Sequence, residues 1–483
     1  MMFMIEGLER MIKEAIKAKD IIKNTTSRIM VVSHYDADGI CSAAIMYKAL
    51  RREGKDFHIS IVKQLSENIL ENVSKAKPEV VIFTDLGSGQ INFIKKHLSC
   101  SITVICDHHE PQGEPDESII HINSLVAGIP EHISGSGVTY LFARTLNPEN
   151  VDLSPLAIIG AIGDSQIDSI GIDWGLNGIN KEILKEAGER GLMKVEKGLR
   201  LWGRYSRPLH KALEYSIDPY IPGISGSESA AVQFLQEAGI DPKKPDGGWR
   251  TISDLTIEEQ RKLADEIIKE RIRNNHENPE YVFGDVYELL DKPEEFRDAN
   301  EFATMLNACG KMGKAYLGVM ICLNMKNAYP EVKKVLEMYR REVGKGTSWL
   351  ISNLKNPDVV KKGHGIYIFA GDNISEHIIS NVVSIVNHSG VLPDKPIFGF
   401  ANSEEGIKIS ARISEKLGER GINLKEILSE LSEKLGGQGG GHMHAAGAVI
   451  AKGKEMEFMR MSEEKLSKIL CDQKPENLAG FVH

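Results

Sequence analysis

Arg28-Ile-Met-Val-Val-Ser-His-Tyr-Asp-Ala-Asp-Gly39 decides how this chain is read. The apolar, β-prone run Ile29 to Val32 leads into His34, Asp36 and Asp38. On extended backbone, residues two apart point the same way, so the spacing predicts one imidazole and two carboxylates emerging together at the C-terminal end of a strand. Gly39 is expected to turn the chain into a helix over Ile40 to Leu50. Open α/β sheets place ligands at such strand tips.

Working outward, the same arrangement recurs. Val80 to Phe83 suits a strand buried on both faces of a parallel sheet, with Asp85 just past its end. Ser101 to Cys106 is a further strand, closed by Asp107-His108-His109. Leu156 to Gly163 is an apolar segment, helical or extended, that ends in Asp164. One such residue alone reads as a turn or cap Asp, or a satisfied core His. Four segments ending in metal-capable groups reverse that reading. Mixed carboxylate and imidazole donors suit manganese, zinc or iron better than magnesium alone. A pair of ions in such a site points to phosphate-ester hydrolysis.

The bulk properties bound the rest. The chain has 483 residues, enough for two or three domains, with 41% hydrophobic and 26% charged residues. A formal net charge of −9 excludes a histone-like basic binder, although metals and a local basic groove offset acidity at a nucleic-acid site. The six cysteines occur singly, without a C-x-x-C pair, which argues against structural zinc and for reduced thiols in a cytoplasmic protein. Ile5, Leu8, Ile12, Ile16 and Ile21 fall near helical spacing, interrupted by Glu6, Glu9, Arg10 and Lys13, so neither a signal-peptide core nor a membrane span is expected.

His34-x-Asp36-x-Asp38-Gly39, Asp85, Asp107-His108-His109 and Gly160-x-x-Gly163-Asp164 resemble, in order, the four motifs of the DHH phosphoesterase superfamily. The resemblance implies two ions, usually Mn2+, with Mg2+ or another divalent ion as substitutes. It puts His34, Asp36 and Asp85 on one ion and Asp38, Asp85, His108 and Asp164 on the other, with Asp85 bridging. Asp107 would orient a histidine, and His109 would face the scissile phosphate.

Toward the C-terminus, Gly439-Gly440-Gly441-His442-x-x-Ala-Ala-Gly447 resembles the signature of the DHH-associated nucleic-acid-binding domain. Its partner motif resembles Ser410-x-Arg412, whose guanidinium would clamp a backbone phosphate. Glycine N–H groups approach phosphate closely because no side chain intervenes. Between the two ends the chain is similar to archaeal RecJ-like proteins, including the segment Ala303-Thr-Met-Leu-Asn-Ala-Cys-Gly-Lys-Met-Gly313. Lys181 to Leu213 reads as helical and charged. Thr256-Ile-Glu-Glu starts a helix to about Arg273, and Pro330 to Leu354 is a long helical connector. Arg204, Arg207 and Lys211 read as a solvated basic face.

The expected fold is α/β: an N-terminal parallel-sheet DHH domain over 1–215, an inserted, mostly helical partner-docking module over 216–310, a helical connector over 311–355 and a smaller α/β DHH-associated domain over 356–483. Three readings of function follow. The first is a metal-dependent exonuclease specific for single strands of DNA or RNA, in replication or repair. The second is a nano-RNA or dinucleotide phosphodiesterase. The third is a scaffold of the replication or repair helicase machinery. None involves a membrane, and oligomeric state is left open.

Overall fold

Runs such as Val80-Val-Ile-Phe-Thr84 are β-branched or aromatic with no polar alternation, and a chain folds such runs only where both faces are covered. The computed structural model describes residues 2–129, 133–170, 173–216, 219–276 and 278–471. The chain divides into two compact units, Met1–Leu336 and Glu337–His483.

In the first unit, α1 (Met2–Asn24) precedes β1 (Ile29–His34), α2 (Ala37–Arg52), β2 (Phe57–Val62), α3 (Glu67–Lys75), β3 (Val80–Thr84), α4 (Ile91–His97), β4 (Ile102–Asp107) and β5 (Ile119–Asn123). The five strands form one parallel sheet in the order β2-β1-β3-β4-β5. β3 is buried throughout, whereas the edge strand β2 is only partly covered. Leu70 and Val73 of α3 and Ile91 and Ile94 of α4 pack on Val32, Val81, Phe83 and Ile105 of one face. The short α5 (Ser124–Ala127) follows β5. α6 (Gly135–Leu146) packs with α1 and α2 to cover the other face, and α7 (Ser154–Gly163) lies on α2 and α6.

The chain continues through a hairpin of β6 (Asp168–Ile170) and β7 (Asp173–Gly175), then α8 (Gly178–Glu189) and β8 (Met193–Leu199). α9 (Leu209–Glu214), α10 (Glu228–Glu237) and α11 (Ile257–Arg273) enclose Leu209, Leu213, Leu235, Leu263 and Ile267. β9 (Phe283–Leu289) then returns to pair antiparallel with β8, from Met193 opposite Leu289 to Leu199 opposite Phe283. α12 (Ala299–Lys311) and α13 (Ala315–Cys322) follow, and the division between the units falls within α14 (Tyr329–Asn353).

The second unit contains β10 (Val360–Lys362), β11 (Ile366–Gly371), α15 (Ile379–His388), β12 (Ile397–Asn402), β13 (Ile407–Arg412), α16 (Glu415–Glu419), α17 (Leu424–Lys434), β14 (Gln438–Gly441), β15 (Ala445–Ile450) and α18 (Glu455–Cys471). Its six strands run in the order β10-β11-β12-β13-β15-β14, with only the β11–β12 pair parallel. Leu424, Ile427 and Leu431 of α17 and Phe458 and Leu466 of α18 share a core with Ile409, Ala411, Ala446 and Ala448. α15 packs on β12 and β13.

Several expectations are corrected. The strand stops at His34 and the helix begins at Ala37, so Asp36 is its N-cap and Asp38 lies in its first turn. Gly39 is inside that helix. A Cβ there would lie 2.2 Å from the His34 carbonyl oxygen, so close packing of helix on strand end, rather than a turn, demands glycine. Lys181 to Leu213 is not continuously helical: Met193 and Leu199 face inward from β8, a strand whose partner lies far along the chain. Arg204 is buried near Glu288 and Glu196 instead of solvated, because the loop after β8 folds into the module. The first helix buries Met11, Ala15, Ala18 and Ile22 and leaves Ile12 and Ile16 exposed, since the small-residue face permits the closest approach.

One buried acid makes a stability prediction. Glu301 in α12 accepts hydrogen bonds from the backbone N–H groups of Gly203 (2.7 Å) and Arg204 (3.0 Å). Burial, then the neighbouring Asp298, pushes its pKa from 4.5 up to about 7, against those two donors. Its stabilising contribution is therefore full below pH 4.5 and is lost as pH climbs through 7. From about pH 5 to about pH 8, the melting temperature of the wild type should fall relative to that of Glu301→Gln. Thermal unfolding across that range is the measurement, and parallel curves would contradict it.

Candidate metal centre

The C-terminal edge of the parallel sheet collects chemistry from four chain segments. His34 ends β1. Asp36 caps α2, its Oδ1 accepting from Gly39 N–H at 3.0 Å. Asp38 is 2% exposed, and both its oxygens are taken by the start of α6: Gly135 N–H donates to Oδ2 (2.6 Å) and Ser136 N–H to Oδ1 (2.9 Å). Helix N-termini attract anions, and here the anion is the protein's own. Ser134-Gly-Ser-Gly137 opens α6 and holds a carboxylate of the chain.

Asp85 follows β3 with φ +58°, a conformation that re-aims its side chain back over the sheet edge. Asp107 ends β4. Its Oδ2 accepts from Ser88 N–H (2.9 Å), and its Oδ1 accepts from His108 N–H (2.8 Å) and lies 2.8 Å from His109 Nδ1. Asp164 is the C-cap of α7, and its Oδ2 accepts from Gln166 Nε2 at 3.0 Å.

These eight side chains come together. His34 Nδ1 lies 3.0 Å from Asp36 Oδ2 and 3.4 Å from Asp85 Oδ2. His108 Nε2 lies 3.5 Å from Asp85 Oδ1 and 3.6 Å from Asp164 Oδ2. Three overlapping groups can each hold a metal ion: His34, Asp36 and Asp85; Asp38, His108 and Asp164; Asp85, Asp107, His108 and His109. His34 Nδ1, Asp85 Oδ2 and His108 Nε2 are buried with no hydrogen-bond partner. They approach one another and the neighbouring carboxylates at ion-pair distance but without hydrogen-bond geometry, and buried groups that converge in this way fit a divalent cation.

The electrostatics agree. Burial, then the Asp85 and Asp164 carboxylates, push Asp38 well above the usual carboxylate range. Burial, then Asp85 and Asp36, likewise raises Asp164, to about 6, against the pull of His108. Burial would also raise Asp85, but His108 and His34 on either side outweigh it and hold it well below normal. Burial would lower His34 and His108; the carboxylates around them hold both well above an ordinary imidazole. Cations relieve this crowding of acids.

Arg412, Ser410, Gly439, Gly440, Gly441 and His442 belong to the second unit. Arg412 lies opposite Ala445 and Ser410 opposite Gly447, which in turn pairs with Gly440, so Ser410, Gly447 and Gly440 form one row across three strands. Arg412 donates to Ser384 Oγ (2.8 Å) and to the Ala411 carbonyl (2.8 Å). With no carboxylate to offset its burial, its pKa is lowered to about 10. The glycine run is an edge strand, and its members differ. A Cβ at Gly439 would strike the Leu428 carbonyl oxygen at 2.6 Å, whereas one at Gly440 meets nothing within 4 Å. Packing therefore explains Gly439 but not Gly440.

Sequence reasoning missed the residues that hold these groups in place. Gln166 pins Asp164 and is itself held by Asn180 (2.8 Å). Ser88, His121 and Asn123 form a chain beneath the Asp107–His109 pair. Amide and hydroxyl residues carry no spacing signal, and only the fold brings them near.

Three family models match the chain: the DHH family N-terminal domain over residues 28–163, the DHH-CID domain over 201–281 and the DHHA1 domain over 362–468. An uncharacterised protein of Methanocaldococcus jannaschii is 34% identical over 470 residues, covering 95% of this chain and 98% of that protein. The single-stranded-DNA-specific exonuclease RecJ of Thermus thermophilus is 28% identical over 223 residues, 43% of this chain but only 32% of that enzyme. Among solved structures, Thermus thermophilus RecJ in complex with Mn2+ superposes with a TM-score of 0.58 at 18% identity, covering 95% of this chain and 55% of that one. CDC45 from Entamoeba histolytica gives a TM-score of 0.62 at 12% identity, covering 94% and 98%. The family models and sequence relatives define a hydrolase of the phosphodiesterase class. The chain belongs to the DHH superfamily and is of its RecJ-like type.

The packing predicts which glycines resist substitution. A Cβ at Gly135 would lie 2.5 Å from Asp85 Oδ1 and 2.8 Å from its Cα, so Gly135→Ala should destabilise by about 1–3 kcal/mol through overpacking. Gly344, inside α14, has nothing within 4 Å of its Cβ position, so Gly344→Ala should stabilise by about 0.5–1 kcal/mol. Denaturant titration of both variants checks the contrast.

Proposed function

We propose that the protein is a metal-dependent exonuclease that hydrolyses phosphodiester bonds of single-stranded DNA or RNA. The observation that carries this reading is the convergence at the sheet edge of His34 Nδ1, Asp85 Oδ2 and His108 Nε2, buried and without hydrogen-bond geometry to any partner. In it, His34, Asp36 and Asp85 would hold one divalent ion, and Asp38, Asp85, His108 and Asp164 would hold a second, with Mn2+ the preferred ion. Bound divalent ions supply Lewis-acid polarisation of the phosphodiester and acidify water.

The remaining work falls to the chain. Asp107 Oδ1, beside His109 Nδ1, fixes the ring and keeps its other nitrogen for substrate. Burial would lower the His109 pKa, but Asp107 outweighs it and brings it to about 8, so a proton held at Nε2 is available to a phosphate oxygen or leaving group. In the second unit, the uncompensated Arg412 guanidinium binds a strand phosphate beside the open space at Gly440, where backbone approaches backbone. His442 and Ser410 add donors on that face.

A second reading is a scaffold in replication or repair machinery. The full-length likeness to the CDC45 fold favours it, while a complete donor set favours hydrolysis.

Digestion of single-stranded DNA and RNA, labelled at either end, with and without Mn2+, tests the proposal. Stepwise release of mononucleotides from one end is the expected result, and no cleavage of any of the four substrates would overturn it. Asp85→Ala should abolish hydrolysis while the protein stays folded. Arg412→Ala should weaken single-strand binding by about 10- to 100-fold, the loss of one charge-assisted contact, and leave Mn2+ affinity unchanged. Binding titrations with labelled oligonucleotide separate the two effects.

A further inference from the structure

The segment Ala303 to Gly313 supplies no donor to the metal centre, yet α12 passes directly behind it. Asn307 Oδ1 accepts a hydrogen bond from Ala37 N–H at 2.9 Å. Ala37 is the first residue of α2, between Asp36 and Asp38, and is 1% exposed. The first N–H groups of a helix have no partner within it. The Asp36 carboxylate takes one of them, from Gly39, and Asn307 takes the one between the two acids.

Gly310 lies one turn further along α12, on the same face. A Cβ there would sit 1.8 Å from the Tyr35 carbonyl oxygen. Glycine is thus required for the helix to touch the backbone of His34 to Ala37. The far end of α12 is anchored: Asp298 caps it through Glu301 N–H (3.0 Å), and the Glu301 carboxylate grips Gly203 and Arg204. A fixed helix that accepts a hydrogen bond from Ala37 N–H, at the end of a loop only two residues long (Tyr35 and Asp36), sets the loop's conformation.

We propose that Asn307, with Gly310 as its clearance, is a positioning residue for the metal centre. It fixes the peptide between Asp36 and Asp38 and thereby the direction of both carboxylates. The inference rests on the metal reading given above, and concerns residues that touch neither metal nor substrate in that reading.

The test is isothermal titration of the metal-free full chain with MnCl2, alongside thermal unfolding. Asn307→Leu keeps the volume and removes the acceptor. It should bind Mn2+ about 10- to 100-fold more weakly, the usual cost of removing a partner that orients a ligand. Asn307→Asp keeps an acceptor oxygen and should return affinity to near the wild-type value. Gly310→Ala should weaken Mn2+ binding in the same direction as Asn307→Leu. If Asn307→Leu lowers only the melting temperature and binds Mn2+ like the wild type, the role is structural and the inference is wrong. If Asn307→Leu does not fold, Asn307→Ala replaces it with the same two outcomes. If the wild type itself takes up no Mn2+, the metal reading has failed and this inference falls with it. Wild-type uptake with unchanged Asn307→Leu overturns this inference alone.

Discussion

Two backbone N–H groups closing on one buried carboxylate hold this site together. Asp38 has little access to water, and its acidic neighbours oppose its charge. The start of α6 offsets that opposition locally, by hydrogen bonds to both oxygens and by the helix field. The contact also registers three elements. α2 brings Asp38, α6 brings the donors, and α7 must pass close enough that a Cβ at Gly160 would lie 2.2 Å from Asp38 Oδ1. A side chain at Gly135 or Gly160 would move Asp85 or Asp38.

That constraint explains why the donors come from chain segments so far apart. A parallel sheet places every strand's C-terminal end on one edge. β1, β3 and β4 are neighbours in the sheet, so His34, Asp85 and Asp107 with His108 are delivered side by side. Asp164 comes instead from a helix end, and it needs Gln166 and Asn180 to hold it. The same sheet geometry also strains Asp85 into positive φ, a cost that surrounding packing sustains.

The strand-end donors were legible because residue type and position coincide: an apolar run followed by Asp or His is a pattern in one dimension. The parallel sheet was legible for the same reason, from runs without polar alternation. What stayed hidden is relational. The extended reading of His34, Asp36 and Asp38 rested on alternation, and N-capping by Asp36 overrode it. β8 carries inward residues at both ends, yet without its partner ninety residues away nothing marks it as a strand. Asn307 is an unremarkable polar residue in a helical stretch until the fold sets it against Ala37.

The second unit shows how composition misleads about cause. Glycines 439, 440 and 441 look like one device, but each is glycine for its own reason. Gly439 lies under α17, and Gly441 has φ +129° with the Ala445 carbonyl oxygen 2.7 Å from its Cβ position, so folding alone accounts for both. Gly440 is different: among the described residues nothing lies within 4 Å of its Cβ position, and its φ does not demand glycine. A residue whose smallness the fold does not require is where a ligand's requirement is best sought. Arg412 poses the same question in charge instead of volume, since burial alone lowers its pKa and its hydrogen bonds go to neutral oxygens of Ser384 and Ala411.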